Sequence, residues 1–279
     1  MKAISDSNIV ICGIVRDAER GLKANIPVIN RICDTALDYK VIIFENSSVD
    51  KTKEILTSWA ESRKDKVSVH CSDIDTDPGI NLTPTVNPFF SARRINKMVK
   101  LRNQYLDYLA EAGMIYDYLI VVDLDVARID FDGIISSFKT REDWDAITAY
   151  GHSLSPKLKQ RYHDTYALRE LGDDAPQTEE KILLRADSFT RRKIGRNPIP
   201  VRSAFGGLAI YRAGVLAGVR YSLIYNNDPR VEVLCEHESI YRQMREKGYD
   251  RVFINPSMKI KYQRLTWKII SRSIRFRFK

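Results

Sequence analysis

Three apolar runs separated by two stretches of helical period constrain this chain more than any other feature. Asn8–Val15 is a continuous hydrophobic segment, as a strand buried on both faces requires. Leu22, Ile26, Ile29, Ile32, Cys33 and Leu37 then recur at the spacing of one helix face. Residues 40–44 predict a second strand. Glu45-Asn46-Ser47-Ser48-Val49-Asp50 predicts a turn and helix start, because short polar side chains accept from free backbone N–H groups. That helix should run to about Ser62, with a third strand near 67–71. A β-α-β-α-β order with short connections implies a parallel sheet with helices on both faces.

Downstream, 73–90 carries Pro78, Gly79, Pro84 and Pro88 without periodicity and is expected as a loop. A helix over 94–110 and a buried strand over Tyr118–Val122 follow. Residues 151–200 are polar and irregular, with a basic cluster at Arg191-Arg192-Lys193. Residues 204–211 and 252–255 predict strands, and 236–247 a helix closed by Gly248. The expected architecture is α/β, a single domain over 1–258 with a mostly parallel sheet, followed by a basic tail over 259–279.

Charge sharpens that division. The chain of 279 residues carries a net charge of +9. Nine basic residues follow the last acid, Asp250, so residues 1–250 are balanced. A balanced body argues against nucleic acid as a partner. The hydrophobic fraction of 44% excludes a disordered chain, and no run of about 18 apolar residues is present to span a membrane. The N-terminus has no small-residue cleavage site and is read as the first strand. Four scattered cysteines without a CxxC pair fit a reduced, cytoplasmic protein and no zinc site.

The sharpest chemical feature is Val121-Val122-Asp123-Leu124-Asp125. An apolar strand delivers two carboxylates at its C-terminal end, where open α/β sheets bind ligands. Residues i and i+2 of an extended chain share a side, so both acids can approach one Mg²⁺ or Mn²⁺ that keeps positions open for a diphosphate. The plain alternative is a pair of solvated acids capping the next element. A second acidic run, Asp73-Ile74-Asp75 with Asp77, has Pro84 where a calcium loop needs a bidentate Glu, and is expected to be a solvated loop. Cys235-Glu236-His237-Glu238 opens the late helix, where the dipole tolerates acids. His237 there could ligate a metal and a flanking Glu could act as base. Ser203-Ala204-Phe205-Gly206-Gly207-Leu208 allows close backbone approach. Neither G-x-G-x-x-G nor a P-loop occurs.

In this order the pieces resemble a nucleotide-sugar glycosyltransferase of the GT-A fold. The resemblance covers about 8–258. It implies that the two strand ends cradle the nucleotide through Val15, Arg16, Glu45, Asn46 and Ser47, with Arg102-Asn103 on a later helix. It implies a Mn²⁺ or Mg²⁺ ion on Asp123 and Asp125 beneath the donor diphosphate, with His237 as a third ligand in one version. The common pattern has Glu-Asp at the acidic helix start. Here His237 takes the Asp place, which leaves Glu236 or Glu238 as the base beside Asp125. Tyr162-His163-Asp164-Thr165-Tyr166-Ala167-Leu168-Arg169, Phe205-Gly206-Gly207 and Cys235-Glu236-His237 look closest to the capsule-associated mannosyltransferase group. That narrower likeness implies GDP-mannose as donor, a glycan or lipid-linked acceptor and polysaccharide biosynthesis. The basic 191–196 region is assigned to closing over the diphosphate.

Two rivals stand beside this. Asp123-Leu124-Asp125-Val126 fits the nucleophile motif of haloacid-dehalogenase-type phosphatases, with Asp123 forming an aspartyl-phosphate. That strand normally comes first, and here three precede it. The tail suggests an adaptor at an anionic membrane surface: Trp267, Ile270, Ile274 and Phe278 form one stripe and Lys268, Arg272, Arg275 and Lys279 the next. Over 265–279 the expectation is a segment that holds a cytoplasmic enzyme peripherally on a membrane.

Overall fold

The computed structural model describes residues 1–73, 79, 83–155, 158–188, 195 and 197–263. Its first half is β1 (Asn8–Val15), α1 (Glu19–Cys33), β2 (Asp38–Asn46), α2 (Thr52–Ser62), β3 (Val67–Ser72), α3 (Ala92–Glu111) and β4 (Tyr118–Val122). These strands pair in parallel in the order β3-β2-β1-β4. The alternation of β1 explains why it reads as continuously apolar. Val10 and Cys12 face one core, while Ile9, Ile11 and Val15 face the other. Helices α3 and a later α6 (Glu236–Glu246) cover the first core, and α1, α2 and α4 (Phe131–Ser137) cover the second.

The second half contains β5 (Arg128–Ile129), β6 (Ala146–Leu154), β7 (Gln160–Tyr162), β8 (Arg169–Glu170), α5 (Glu179–Ser188), β9 (Ile199–Ser203), β10 (Leu208–Arg212) and β11 (Val252–Lys261). Strand β10 inserts antiparallel between β4 and β6, and β11 runs parallel to β6. The result is one mixed central sheet, parallel in its first half.

Three expectations are corrected here. The 151–200 stretch is not irregular: it holds the end of β6, then β7, β8, α5 and the start of β9. Strands of two or three residues are too short to display a period. The strand expected over 204–211 begins only at Leu208, because Gly206 and Gly207 turn the chain at φ +65° and +88°. The strand expected over 252–255 continues to Lys261, and Tyr262 still hydrogen-bonds to the sheet by donating its N–H to the His152 carbonyl at 3.0 Å. The tail stripes, Arg191-Arg192-Lys193, Asp75 and Asp77 lie outside the described residues. Among the described residues no helix is long and apolar enough to cross a membrane.

Candidate active site

The C-terminal ends of β1, β2 and β4 open on a cavity of about 630 Å³. Its floor is the turn after β4. Asp123 and Asp125 line the cavity, while Leu124 between them points into the core at 1% exposure. This is the alternation expected of i and i+2 on one side of an extended segment. The turn is held from behind by α1. Asn25, fully buried, donates to the Leu124 carbonyl at 3.1 Å and the Val126 carbonyl at 2.8 Å, and accepts from the Ile129 N–H at 3.1 Å. Gly21, one helical turn earlier, lets α1 touch this backbone: a Cβ there would stand 2.4 Å from the Leu124 carbonyl oxygen.

Arg102 on α3 is the electrostatic centre, at 4% exposure. Its Nε donates to Glu236 Oε1 at 3.1 Å and its Nη2 to Asp123 Oδ1 at 3.4 Å. The guanidinium also lies over the Phe205 ring, 4.9 Å from its centroid. Burial alone would raise the Glu236 carboxyl, but the Arg102 charge outweighs it and holds Glu236 below its usual range. His237 is pushed down to about 3 by burial and by Arg102. The ring is therefore neutral, and Arg102 is the cation that matters to Glu236. Burial pushes Asp123 up to about 7 against the pull of Arg102, with the charges of Asp125, Asp164 and Glu236 adding to the rise.

The walls show which expected residues converge. Val15, Arg16, Asn46, Arg102, Asp123, Asp125, Glu236 and His237 all line the cavity. Glu45, Ser47, Asn103 and Glu238 do not line it. Glu45 is fully buried and accepts from the Ser48 N–H at 2.6 Å, so it shapes the β2 turn. Ser47 supports the same turn at φ +58° and donates its N–H to the Ser72 carbonyl. Asn103 clamps Tyr221, donating to its carbonyl and accepting from its N–H, both at 3.0 Å. Glu238 faces a separate cleft near Arg202 and Arg245, at 3.8 and 3.9 Å. Residues one and two apart on a helix do not face the same way, so Asn103 leaves the Arg102 side and Glu238 the Glu236 side.

The fit to a divalent cation rests on the acids. Asp123 and Asp125 offer hard oxygen donors in a pocket where burial, joined by the charges of Asp125, Asp164 and Glu236, raises the proton affinity of Asp123. Mg²⁺-type ions are usually held by one or two carboxylates plus substrate phosphates, so two acids suffice. His237 does not join them: among the described residues no three His, Cys, Asp or Glu side chains are grouped as ligands. Instead its ring stacks on Phe205 at 4.0 Å, and among the described residues neither ring nitrogen has a hydrogen-bond partner.

Several cavity residues carried no assigned role in the sequence. Asp164 lines the cavity and accepts from the Gly206 N–H at 3.0 Å. Tyr262 lines it from beyond β11, its ring 4.1 Å from that of His163. Arg94 and Lys97 join Arg102 on the cavity side of α3. Their helical spacing is a legible signal; Asp164 lies in the Tyr162–Arg169 segment that carries the family resemblance, and Tyr262 has no signal beyond its residue type.

The sequence matches the family of cryptococcal mannosyltransferase 1 across residues 28–277. No curated protein matches it. Among solved structures, it is similar to the mannosyltransferase PcManGT from Pyrobaculum calidifontis in complex with GDP-Man and Mn²⁺. The TM-score is 0.50 and the identity 11%, over 92% of this chain and 56% of that one. It is also similar to S. aureus TarS 1-349, at TM-score 0.48 and 12% identity, over 96% of this chain and 64% of that one. The chain therefore spans less than two thirds of either protein. At these identities the likeness is one of fold.

Proposed function

The chain belongs to the cryptococcal mannosyltransferase 1 family, and from that premise we propose that it moves mannose from GDP-mannose to a glycan or lipid-linked acceptor. As a member of that family it is a glycosyltransferase, and its fold is GT-A. The observation that carries the donor assignment is the cavity itself, where the ends of β1 and β2 meet Asp123, Asp125 and Arg102. Val15, Arg16 and Asn46 would hold the nucleotide on the β1–β2 side.

Mn²⁺ or Mg²⁺ would be held by Asp123 and Asp125 and would act as a Lewis acid for the charge that gathers on the diphosphate oxygens. Asn25 and Gly21 fix the backbone that carries these acids. Arg102 holds Asp123 in place, and its own aim is set by Glu236. Because Glu236 is committed to Arg102, its role here is to position that cation. Phe205 and His237 form a stacked apolar wall that keeps water from this pair.

Nothing supports the phosphatase reading of Asp123. Its strand is the fourth of the sheet, and its carboxyl is shared with Arg102. The basic tail keeps its proposed place at an anionic membrane surface, peripheral to the cytoplasmic leaflet. Tyr262 supports this by bringing the start of that segment to the cavity wall.

The test is a panel of nucleotide sugars, scored by thermal stabilisation and by hydrolysis with and without Mn²⁺, on wild type and Asp125→Ala. Mn²⁺-dependent stabilisation by GDP-mannose, lost in the variant with the melting point of the free protein retained, is expected. Full activity in EDTA, or in Asp125→Ala, would sink the metal-dependent version.

A further inference from the structure

Resting on that transferase reading, we propose that Asp164 is the acceptor-facing carboxylate: it accepts the hydrogen bond of the acceptor's reacting hydroxyl group. The other acids around the cavity are already engaged. Glu236 holds Arg102 at 3.1 Å, and Asp123 shares that guanidinium at 3.4 Å. Glu179 accepts from Asn87 at 2.7 Å and from Arg230 at 3.2 Å. Asp125 stands exposed beside Asp123, where the cation is assigned. Among the described residues neither Asp125 nor Asp164 has a salt-bridge partner, and Asp164 accepts from the backbone N–H groups of Gly206, at 3.0 Å, and of Ala167.

Its place across the sheet separates it from the donor side. Val15 and Asn46 end β1 and β2, on one side of β4. Gly206 precedes β10, which pairs with the other edge of β4. Neighbouring strands lie about 4.8 Å apart, so Asp164 stands roughly one strand beyond the two acids, away from the nucleotide. The same glycine turn ties both acids together. The Asp123 N–H donates to the Gly207 carbonyl at 2.9 Å, and the Gly206 N–H donates to Asp164 Oδ2 at 3.0 Å. That turn has no room to adjust, since a Cβ on Gly206 would sit 2.2 Å from the Ala149 carbonyl oxygen. In its carboxylate form, a side chain held rigidly beside the reacting centre is a strong acceptor for a hydroxyl donor. Burial raises its proton affinity, as does the Glu236 charge, and the Gly206 N–H opposes both.

The plain alternative is that Asp164 only closes the glycine turn. Asp164→Asn separates the two, because its amide oxygen still accepts from the Gly206 N–H while the charge is lost, and the melting temperature reports any cost of the weakened Ala167 contact. Full-length wild type and variant are compared in two arms: calorimetric binding of GDP with Mn²⁺, and GDP release from GDP-mannose with water as sole acceptor and then with free mannose added. The expected result is unchanged GDP and Mn²⁺ affinity with GDP release slower by about ten- to a hundredfold, the range for losing a charged hydrogen bond. Asp164→Ser, which also keeps an acceptor for the turn, should behave alike and covers the case of a misfolded Asn variant. Release at the wild-type rate would reduce Asp164 to a turn residue. Loss of GDP or Mn²⁺ affinity in step with release would make it a donor-side ligand, and either result overturns the proposal. A wild type that neither binds GDP nor releases it would overturn the transferase reading as well, and the binding arm tells that case apart.

Discussion

The side-chain amide of Asn25 donates to the carbonyl of Leu124, the residue between the two acids, at 3.1 Å. Helix α1 thus grips the Asp123–Asp125 turn through a residue 99 positions away in sequence. Asn25→Ala would leave two carbonyls and one N–H without partners in a fully buried place. Unmet buried groups cost about 1–3 kcal/mol each before relaxation, so a loss on the order of 3 kcal/mol is expected by urea denaturation. Mn²⁺ affinity should fall with it. Unchanged affinity in a folded Asn25→Ala protein would mean that the clamp serves stability only.

Gly21→Ala tests the same contact by a steric route. In an ordinary helix this change stabilises by up to about 1 kcal/mol. Here the added methyl would meet the Leu124 oxygen at 2.4 Å and the Asp125 Cα at 2.7 Å. The sign should therefore invert, to a destabilisation of about 1–3 kcal/mol with weakened Mn²⁺ binding. A raised melting temperature would refute the close approach.

Arg102 and Glu236 form a buried pair, at 5% and 6% side-chain exposure. Removing one partner strands the other's charge, so Arg102→Ala should cost on the order of 3–5 kcal/mol. Adding Glu236→Gln to that variant should restore part of the loss, and a double-mutant cycle measures the coupling. Arg102→Lys should not rescue, because an ammonium cannot serve Nε and Nη2 partners together. Additive single losses would show that the pair is not coupled.

Burial pushes the Asp123 carboxyl up to about 7. Below that point a proton must leave before a cation binds, so Mn²⁺ affinity should fall up to about tenfold per pH unit and level off above it. The stability sign is opposite to that of a salt-bridged acid. Between about 4 and 7 the folded state keeps a proton that the unfolded chain has lost, so this group's contribution falls as pH rises through the window. Calorimetry from pH 5.5 to 8 checks both, and a flat metal affinity would contradict the raised proton affinity.

Much of the fold was legible. Asn8–Val15 and Tyr118–Val122 carry the same bounds in sequence and structure because both strands are buried on two faces and bounded by polar turns. The Gly206–Gly207 turn was misplaced within a strand because an apolar run hides a change of backbone sign. Glu238 lines a different cleft from Glu236, because two residues along a helix turn about 200°. The Tyr162–Arg169 segment stood out by its family resemblance, but the place of Asp164 on the cavity wall was not legible, since nothing local distinguishes an acid that caps a turn from one that lines a cavity.

Sequence by itself determined the parallel half of the sheet, the acids at the end of β4 and the imbalance of charge after Asp250. Those follow from period and composition, which are local properties of a chain. Tertiary structure decided what each acid meets. Arg102 meets Glu236 across 134 positions, and that one contact makes Glu236 a partner of a cation, while Asp164 faces the cavity held by the backbone N–H groups of Gly206 and Ala167. Electrostatic pairing depends on distance in space, and no spacing along the chain encodes it.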